Sequence, residues 1–134
     1  MPDPIPGNQI PPLVIPNGKR CFYTGAVQSS GNQYIVLENS KGNQLFVLQG
    51  KSSSGGTPTP LGSGYFNADD PADSYTIKIG VNGGAKWSKV LWIQQELNMG
   101  SNIYCYQYTF IAEDYTDNDY NDSYCAIHWM DKSG

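Results

Sequence analysis

The sequence predicts an all-β fold, an antiparallel β-sandwich of about nine short strands with Greek-key-like connections. Three observations support this prediction. Short runs of β-branched and aromatic residues recur along the chain, Asn, Gly and Ser turns separate them, and no window shows the periodicity and caps of an amphipathic helix. At 134 residues the chain is long enough for one domain with its own hydrophobic core.

The chain is predicted to divide into a Pro-rich extended N-terminal arm, residues 1–13, and the sandwich domain, residues 14–134. Six prolines fall within the first sixteen residues, and each fixes φ and lacks a backbone N–H. The clearest predicted strands are 21–26, 33–37, 44–48, 75–81, 90–93, 103–111 and 123–130. The stretch 51–64 is rich in Ser, Gly, Thr and Pro and is predicted to be a loop.

The last two predicted strands are expected to pair as a hairpin in which facing positions sum to about 235. Cys125 then faces Phe110, and Cys105 faces Met130. The two cysteines would lie roughly 17 Å apart along the ladder, whereas a disulfide needs Cα atoms within about 7 Å. We therefore expect no bridge in the hairpin and expect all three cysteines, including Cys21, to behave as small buried hydrophobes.

The connection between these strands, residues 113–122, is densely acidic. It holds five of the twelve acidic residues of the chain and no Lys or Arg. Like charges packed this closely cost free energy unless a cation lies among them. Carboxylate, amide and carbonyl oxygens are the donors that Ca²⁺ prefers. The stretch therefore predicts a calcium site at one end of the sheet.

A charge count suggests two ions. Glu113, Asp117, Asp119 and Asp122 supply four negative charges, which two Ca²⁺ would balance. Each ion takes 6–8 oxygens, more than one loop offers, so the missing ligands must come from other segments, a neighbouring chain or a bound ligand. The alternatives are a solvated acidic turn, a closed structural calcium site and a hydrolase with paired carboxylates.

No catalytic residue is predicted, and the protein is expected not to be an enzyme. Glycosidase carboxylates lie on opposite sides of the scissile bond, whereas these share one short loop, which favours chelation of a common ion. The only histidine, His128, has no base or nucleophile partner that the sequence identifies.

The charge and hydropathy patterns exclude other classes of partner. The net charge of −4 argues against nucleic acid and anionic membranes. No segment approaches the ~20 apolar residues of a membrane span, and the first sixteen residues do not read as a signal peptide. The protein is predicted to be soluble, either cytoplasmic or released to the cell surface or exterior without a recognisable signal peptide.

The string Glu113-Asp114-Tyr115-Thr116-Asp117-Asn118-Asp119-Tyr120-Asn121-Asp122, followed by a hydrophobic strand ending at Trp129, resembles the signature of the bacterial calcium-dependent fucose/mannose lectins of the LecB type. A second match is Gln28-Ser29-Ser30-Gly31, and Ile15-Pro16 and Val81-Asn82-Gly83 are also similar to the family. The resemblance runs, with gaps, over about residues 13–130.

The resemblance implies two adjacent Ca²⁺ ions and a sugar that coordinates both. The implied metal ligands are the backbone carbonyl of Gln28, then Glu113, Asp117, Asp119, Asn121, Asp122 and the terminal carboxylate of Gly134 reaching into a partner's site. The implied sugar contacts are Ser29, Ser30, Gly31, Asp114 and Thr116. Because this chain runs two residues further past its Trp than the family does, Asp131 replacing Gly134, or no intersubunit ligand, are open alternatives.

The function implied is that of a calcium-dependent lectin for fucosylated or mannosylated glycans. The Ser-Ser-Gly form of the second loop is similar to that of members that favour fucose. A homodimer or homotetramer is expected, because single-site sugar affinity is modest and several sites raise avidity. The alternative is a calcium-stabilised structural or adhesion module without an open sugar site.

Overall fold

The computed structural model describes residues 3–54, 56–114 and 119–132. Within these ranges the regular structure is eleven β-strands and a short 3-10 turn at Asn82–Gly84. The strands are β1 (Ile5–Pro6), β2 (Leu13–Val14), β3 (Arg20–Val27), β4 (Gln33–Asn39), β5 (Gln44–Gly50), β6 (Thr59–Asn67), β7 (Ser74–Val81), β8 (Lys86–Trp87), β9 (Lys89–Met99), β10 (Asn102–Glu113) and β11 (Ser123–Met130).

The strands form two antiparallel sheets. The first sheet has the order β1-β9-β10-β11-β3-β6, and the second has the order β2-β7-β4-β5 with β8 added beside β7. Strands β3 and β11 are neighbours although they lie at opposite ends of the chain, as in Greek-key connectivity. The predicted all-β sandwich is confirmed.

The core lies between the two sheets. From the first sheet, Phe110 and Ile127 are fully buried, and from the second, Ile35 and Ile77 face them in the same cluster. These positions alternate with more exposed ones, which is the pattern of strands covered on one face. Each such side chain contributes about 1.5–3 kcal/mol by its burial.

The terminal hairpin has the predicted register. Cys105 pairs with Met130 and Phe110 pairs with Cys125. All three cysteines are free, and Cys21 and Cys125 are buried, whereas Cys105 is only half-buried. Because β10 ends at Glu113 and β11 begins at Ser123, the acidic segment connects the two strands at one end of this hairpin.

One predicted loop contains a strand. Residues 59–64 were assigned to the loop 51–64 but begin β6, which pairs with β3 at the edge of the first sheet. Gly64 pairs with Tyr23, and a Cβ at Gly64 would lie 2.6 Å from the Tyr23 hydroxyl oxygen. Backbone pairing with β3 and the close approach of Gly64 to Tyr23 hold this strand in place. Side-chain propensity does not predict either of these.

The described part of the Pro-rich arm packs onto the sandwich. Gly7 donates its N–H to the Ser88 carbonyl (2.7 Å) and accepts a hydrogen bond from the Ile79 amide (3.0 Å). The arm also pairs with β9 through β1 and buries Ile10 in the core. The arm is extended, but it spans the two sheets instead of standing away from them. The domain boundary near residue 13 stays a prediction.

No helix among the described residues is long and apolar enough to cross a membrane.

Candidate metal and sugar site

The site forms where three strand ends meet. β10 ends at Glu113 and β11 begins at Ser123, so the acidic connection stands at their common end. β3 pairs with β11, and its ladder continues one step further because Gln28 donates its N–H to the Asp122 carbonyl (3.0 Å). The segment after β3 is thereby placed beside the acidic connection.

Three carboxylates converge at this end of the sheet. One oxygen from each of Glu113, Asp119 and Asp122 lies within 4.8 Å of the others. Glu113 and Asp122 are buried, and Asp119 is exposed. Within the described ranges, the ion pairs are Lys19–Asp131 and Lys78–Glu38, so neither brings a cation to this group. Glu113 is the last residue of β10, whereas Asp119 and Asp122 belong to the connection, with Asp122 directly before β11.

The carboxylates of this cluster are poorly satisfied by the protein. Glu113 is 1% exposed, and its Oε2 accepts one hydrogen bond, from the Asp119 amide (3.2 Å). Its other oxygen, Oε1, is buried without any partner among the described residues. A buried carboxylate oxygen without a donor or a cation is costly.

The charged form of Asp122 is also disfavoured. Its Oδ2 accepts a hydrogen bond from the Asp114 amide (2.9 Å). Burial, and then the neighbouring Glu113 and Asp114 carboxyl groups, raise the pKa of Asp122 to about 8. The protein alone therefore disfavours the charged form that a metal ligand needs, and a cation would reverse this preference.

Asn121 extends the cluster on its exposed side. Its amide is oriented so that the oxygen faces the Asp119 carboxylate, and turning the amide round would create hydrogen bonds of 2.8 and 3.1 Å to the two carboxylate oxygens. Oxygens facing each other are unfavourable unless the amide is turned or a cation lies between them. The cluster is thus composed of carboxylate and amide oxygens, which fits Ca²⁺.

A second polar group adjoins the cluster and surrounds Asp114. The Asp114 Oδ2 accepts hydrogen bonds from the Ser29 hydroxyl (3.1 Å) and from the Gln33 side-chain amide (2.8 Å). Its Oδ1 is buried and has no partner among the described residues. The backbone carbonyl of Asp114 accepts a hydrogen bond from Lys86 Nζ (3.2 Å). Asp114 therefore has one oxygen held by protein and one that is unused.

The loop after β3 packs directly against this aspartate. Gly31 donates its N–H to the Ser29 hydroxyl oxygen (3.0 Å), and Ser29 accepts a hydrogen bond from the Ser52 amide at its carbonyl (2.7 Å). A Cβ at Gly31 would lie 2.9 Å from Asp114 Oδ2, so only glycine leaves room for the contact. Ser30 is exposed at the tip of the loop.

Most of the predicted site residues are brought together. Those found at this end of the sheets are Gln28, Ser29, Ser30, Gly31, Glu113, Asp114, Asp119, Asn121 and Asp122. Thr116, Asp117 and Gly134 lie outside the described residues. Their predicted roles stay predictions, as do the individual ligand and sugar-contact assignments.

Asp131 lies far from the acidic cluster of its own chain. β11 leads from the cluster to Met130, and its eight residues span roughly 25 Å. At that end Asp131 forms an ion pair with Lys19. A ligand from Asp131 would therefore have to come from another copy of the chain.

Sequence reasoning missed two residues of the site, Gln33 and Lys86. Gln33 begins β4 and is the only strongly polar residue at an inward position before the apolar run Ile35–Leu37. That break in the alternation is the signal that points to it. Lys86 carries no such signal, because it lies in a two-residue strand next to a turn.

Comparisons with solved structures show the fold. The high-affinity mannose-binding lectin of Ralstonia solanacearum aligns with a TM-score of 0.70 at 23% identity, covering 90% of this chain and 96% of that chain. The Chromobacterium violaceum lectin CV2L, solved with alpha-methyl-fucoside, gives 0.68 at 19% identity, with 90% and 96% covered. The C-terminal domain of the Burkholderia cenocepacia lectin BC2L-C gives 0.69 at 16% identity, with 94% and 97% covered.

The family comparison covers nearly the whole sandwich. A search of curated protein sequences gives no match. The family model of fucose-binding lectin II (PA-IIL) matches residues 13–131, a span that includes both loops of the site. Its members, like the three aligned structures, are lectins, carbohydrate-binding proteins that are not enzymes. The chain belongs to the fucose-binding lectin II family.

Proposed function

We propose that this lectin binds fucose-type or mannose-type sugars through two Ca²⁺ ions held at the β10–β11 connection. The observation that carries the proposal is the convergence of Glu113, Asp119 and Asp122 within 4.8 Å, with a buried Glu113 oxygen that has no partner among the residues described. A cluster of carboxylates alone would not suffice. Here it lies within the span matched by a family of fucose-binding lectins.

The residues present fit calcium by donor type and by charge. Glu113, Asp119 and Asp122 offer carboxylate oxygens, Asn121 carries an amide oxygen beside Asp119, and Gln28 offers a carbonyl beside Asp122. Asp117 and the terminal carboxylate of Gly134 complete the proposed set by resemblance to the family. Calcium bound there supplies coordination positions that adjacent sugar hydroxyl oxygens can fill.

The chain itself would select among sugars. Asp114 holds its Oδ2 in two hydrogen bonds, and its Oδ1, which has no partner among the described residues, would accept a hydrogen bond from a sugar hydroxyl. The loop Ser29–Gly31 lies against the same carboxylate, with Ser30 exposed at its tip, and Thr116 is the remaining proposed contact. These directional bonds would distinguish sugars by the orientation of their hydroxyls.

A homodimer or homotetramer would raise the affinity for glycan-coated surfaces by presenting several sites at once. It would also bring the C-terminal end of one copy to the site of another. Within one chain, β11 carries that end roughly 25 Å away from the acidic cluster.

The test is thermal unfolding with fucose, mannose or galactose, each in Ca²⁺ and in EDTA. We expect fucose or mannose to raise Tm in Ca²⁺ and to have no effect in EDTA, because a ligand stabilises the state that binds it. Asp119→Ala should remove the sugar effect while the protein stays folded, since Asp119 is exposed.

A calcium-dependent Tm rise without a response to any of the three sugars would favour the rival reading, a structural or adhesion module whose calcium site is closed. A sugar response that survives in EDTA, or in Asp119→Ala, would contradict the calcium-bridged site. A glycan array probed with and without EDTA would then identify the preferred sugar.

A further inference from the structure

Gln33 is a polar residue at a fully buried position, where an apolar side chain would be expected. It is the first residue of β4 and is 0% exposed. Its side-chain nitrogen donates to Asp114 Oδ2 (2.8 Å) and to the Gly31 carbonyl (3.2 Å), whereas its oxygen has no partner among the described residues. Burying an amide with half of its hydrogen-bonding capacity unused costs free energy. An apolar side chain would avoid that cost.

The bond to Asp114 determines which oxygen of this carboxylate remains available. Gln33 and Ser29 both donate to Oδ2, and Oδ1 is left buried without a partner in the part of the chain that the structure describes. The backbone N–H of Asp114 is fixed as well, by its bond to Asp122 Oδ2. A carboxylate held at one oxygen and at its own amide presents the other oxygen in a single direction.

The bond to Gly31 connects the same amide to the second loop. Gly31 donates in turn to the Ser29 hydroxyl oxygen, and that hydroxyl donates to Asp114. Gln33, Gly31, Ser29 and Asp114 therefore form a closed ring of hydrogen bonds that links two segments far apart in sequence. The ring does not include Glu113 or Asp119, whose carboxylates belong to the metal cluster.

We infer that Gln33 is a positioning residue for sugar recognition, which fixes the direction of Asp114 Oδ1 and the height of the Ser29–Gly31 loop over the ligand. The inference rests on the proposed lectin function and assigns to Gln33 the control of selectivity among sugars, separate from calcium binding. The free energy spent on burying the amide is then offset by a pre-oriented acceptor.

The test is Gln33→Met, which keeps the length of the side chain and removes both donated bonds. Calcium affinity is measured by titration calorimetry, and fucose and mannose affinities are measured in saturating Ca²⁺. We expect sugar affinity about tenfold weaker and a fucose-to-mannose ratio changed by about threefold or more, with calcium affinity within about twofold of wild type.

Gln107→Met is the matched control. Gln107 lies in the middle of β10, six residues before Glu113, and its amide donates only to Thr109 within the described structure. Its loss should leave both affinities unchanged. If Gln33→Met does not fold, Gln33→Asn replaces it, because its amide is one methylene too short to reach Asp114.

Unchanged sugar affinity and ratio in a folded variant, alongside a wild type that binds sugar, would overturn the inference and leave the proposed function standing. A loss of calcium affinity in proportion to sugar affinity would also overturn it, because Gln33 would then only support the fold of the site. A wild type that binds neither sugar in Ca²⁺ would reject the proposed function itself, and the inference with it.

Discussion

Two acidic turns of this protein differ in what satisfies their carboxylates. In the turn after β6, Asp70 accepts hydrogen bonds from the amides of Ser40 (2.6 Å) and Ala72 (2.9 Å). The hydrogen bonds from the Ser40 side chain and amide, and from Ala72, lower the pKa of Asp70. Asp73 accepts a bond from the Asn17 amide (2.8 Å). The negative charge of this turn is thus satisfied by donors from the turn itself and from two neighbouring segments.

The β10–β11 connection does the opposite. Glu113 Oε1 and Asp114 Oδ1 are buried without partners within residues 3–54, 56–114 and 119–132, and the pKa of Asp122 is raised to about 8. Acidic composition alone therefore does not identify a cation site. Backbone amides compensate the first turn, and the second is left with a deficit that calcium would fill.

The largest difference in calcium affinity is expected when one carboxylate is removed from each turn. Glu113→Gln should weaken calcium binding by about 100-fold, because it takes a charged ligand from a site whose oxygens converge. Asp70→Asn is the matched control and should change calcium affinity by less than about twofold. Titration calorimetry decides between them, and equal losses in both variants would show that the two turns do not differ.

The two turns should also differ in how far calcium changes the stability of their variants. At a calcium concentration of 100 times Kd, we expect the wild type to gain about 2.7 kcal/mol. Glu113→Gln should lose most of this gain and should be no less stable than wild type in EDTA, since it neutralises a buried carboxylate whose Oε1 has no partner among the described residues. Asp70→Asn should lower Tm equally with and without calcium. Scanning calorimetry is the measurement, and a calcium-dependent defect in Asp70→Asn would contradict the assignment.

The raised pKa of Asp122 predicts how stability depends on pH in EDTA. The raised pKa keeps this proton on the folded protein up to about pH 8, whereas the unfolded chain releases it near the ordinary aspartate pKa of 3.8. The contribution of Asp122 is therefore fully present below about pH 4 and is lost as pH rises through 8.

Denaturant unfolding of the calcium-free protein should show this decline, and Asp122→Asn should reduce it. Saturating calcium should remove the decline, because the cation stabilises the charged form. A calcium-free stability that rises between pH 5 and pH 8 would show that the cluster is satisfied without a metal.

Gly31→Ala should have the smallest effect of these variants. It tests whether the Ser29–Gly31 loop acts on sugar binding separately from the metal cluster. The added methyl would lie 2.9 Å from Asp114 Oδ2 and would push the carboxylate or the loop by a few tenths of an ångström. We expect sugar affinity to fall by roughly three- to tenfold, with calcium affinity nearly unchanged. Measuring both by calorimetry checks this, and an equal fall in the two affinities would mean that the loop also supports the metal cluster.

Local patterns in the sequence predicted most of the strands and the place of the acidic connection, although β9 runs over Lys89–Met99 instead of 90–93. Pairing the last two predicted strands as a hairpin gave the correct register, so that Cys125 does face Phe110. Glycine and edge pairing overrode propensity in residues 59–64, which form part of β6 although their composition is that of a loop. The error arose because pairing with β3, and not the local residues, creates that strand.

Patterns in the sequence were enough to predict the sandwich, the concentration of charge between β10 and β11, and the lectin family. The tertiary structure was needed to find which of those carboxylates are unsatisfied and which residues donate hydrogen bonds to them. Ser29 and Asp114 are 85 positions apart and Gln33 and Asp114 are 81 apart, yet they share one carboxylate oxygen. The physical reason is that periodicity and charge are local properties, whereas the partners of a buried polar atom are chosen by how distant strands pack.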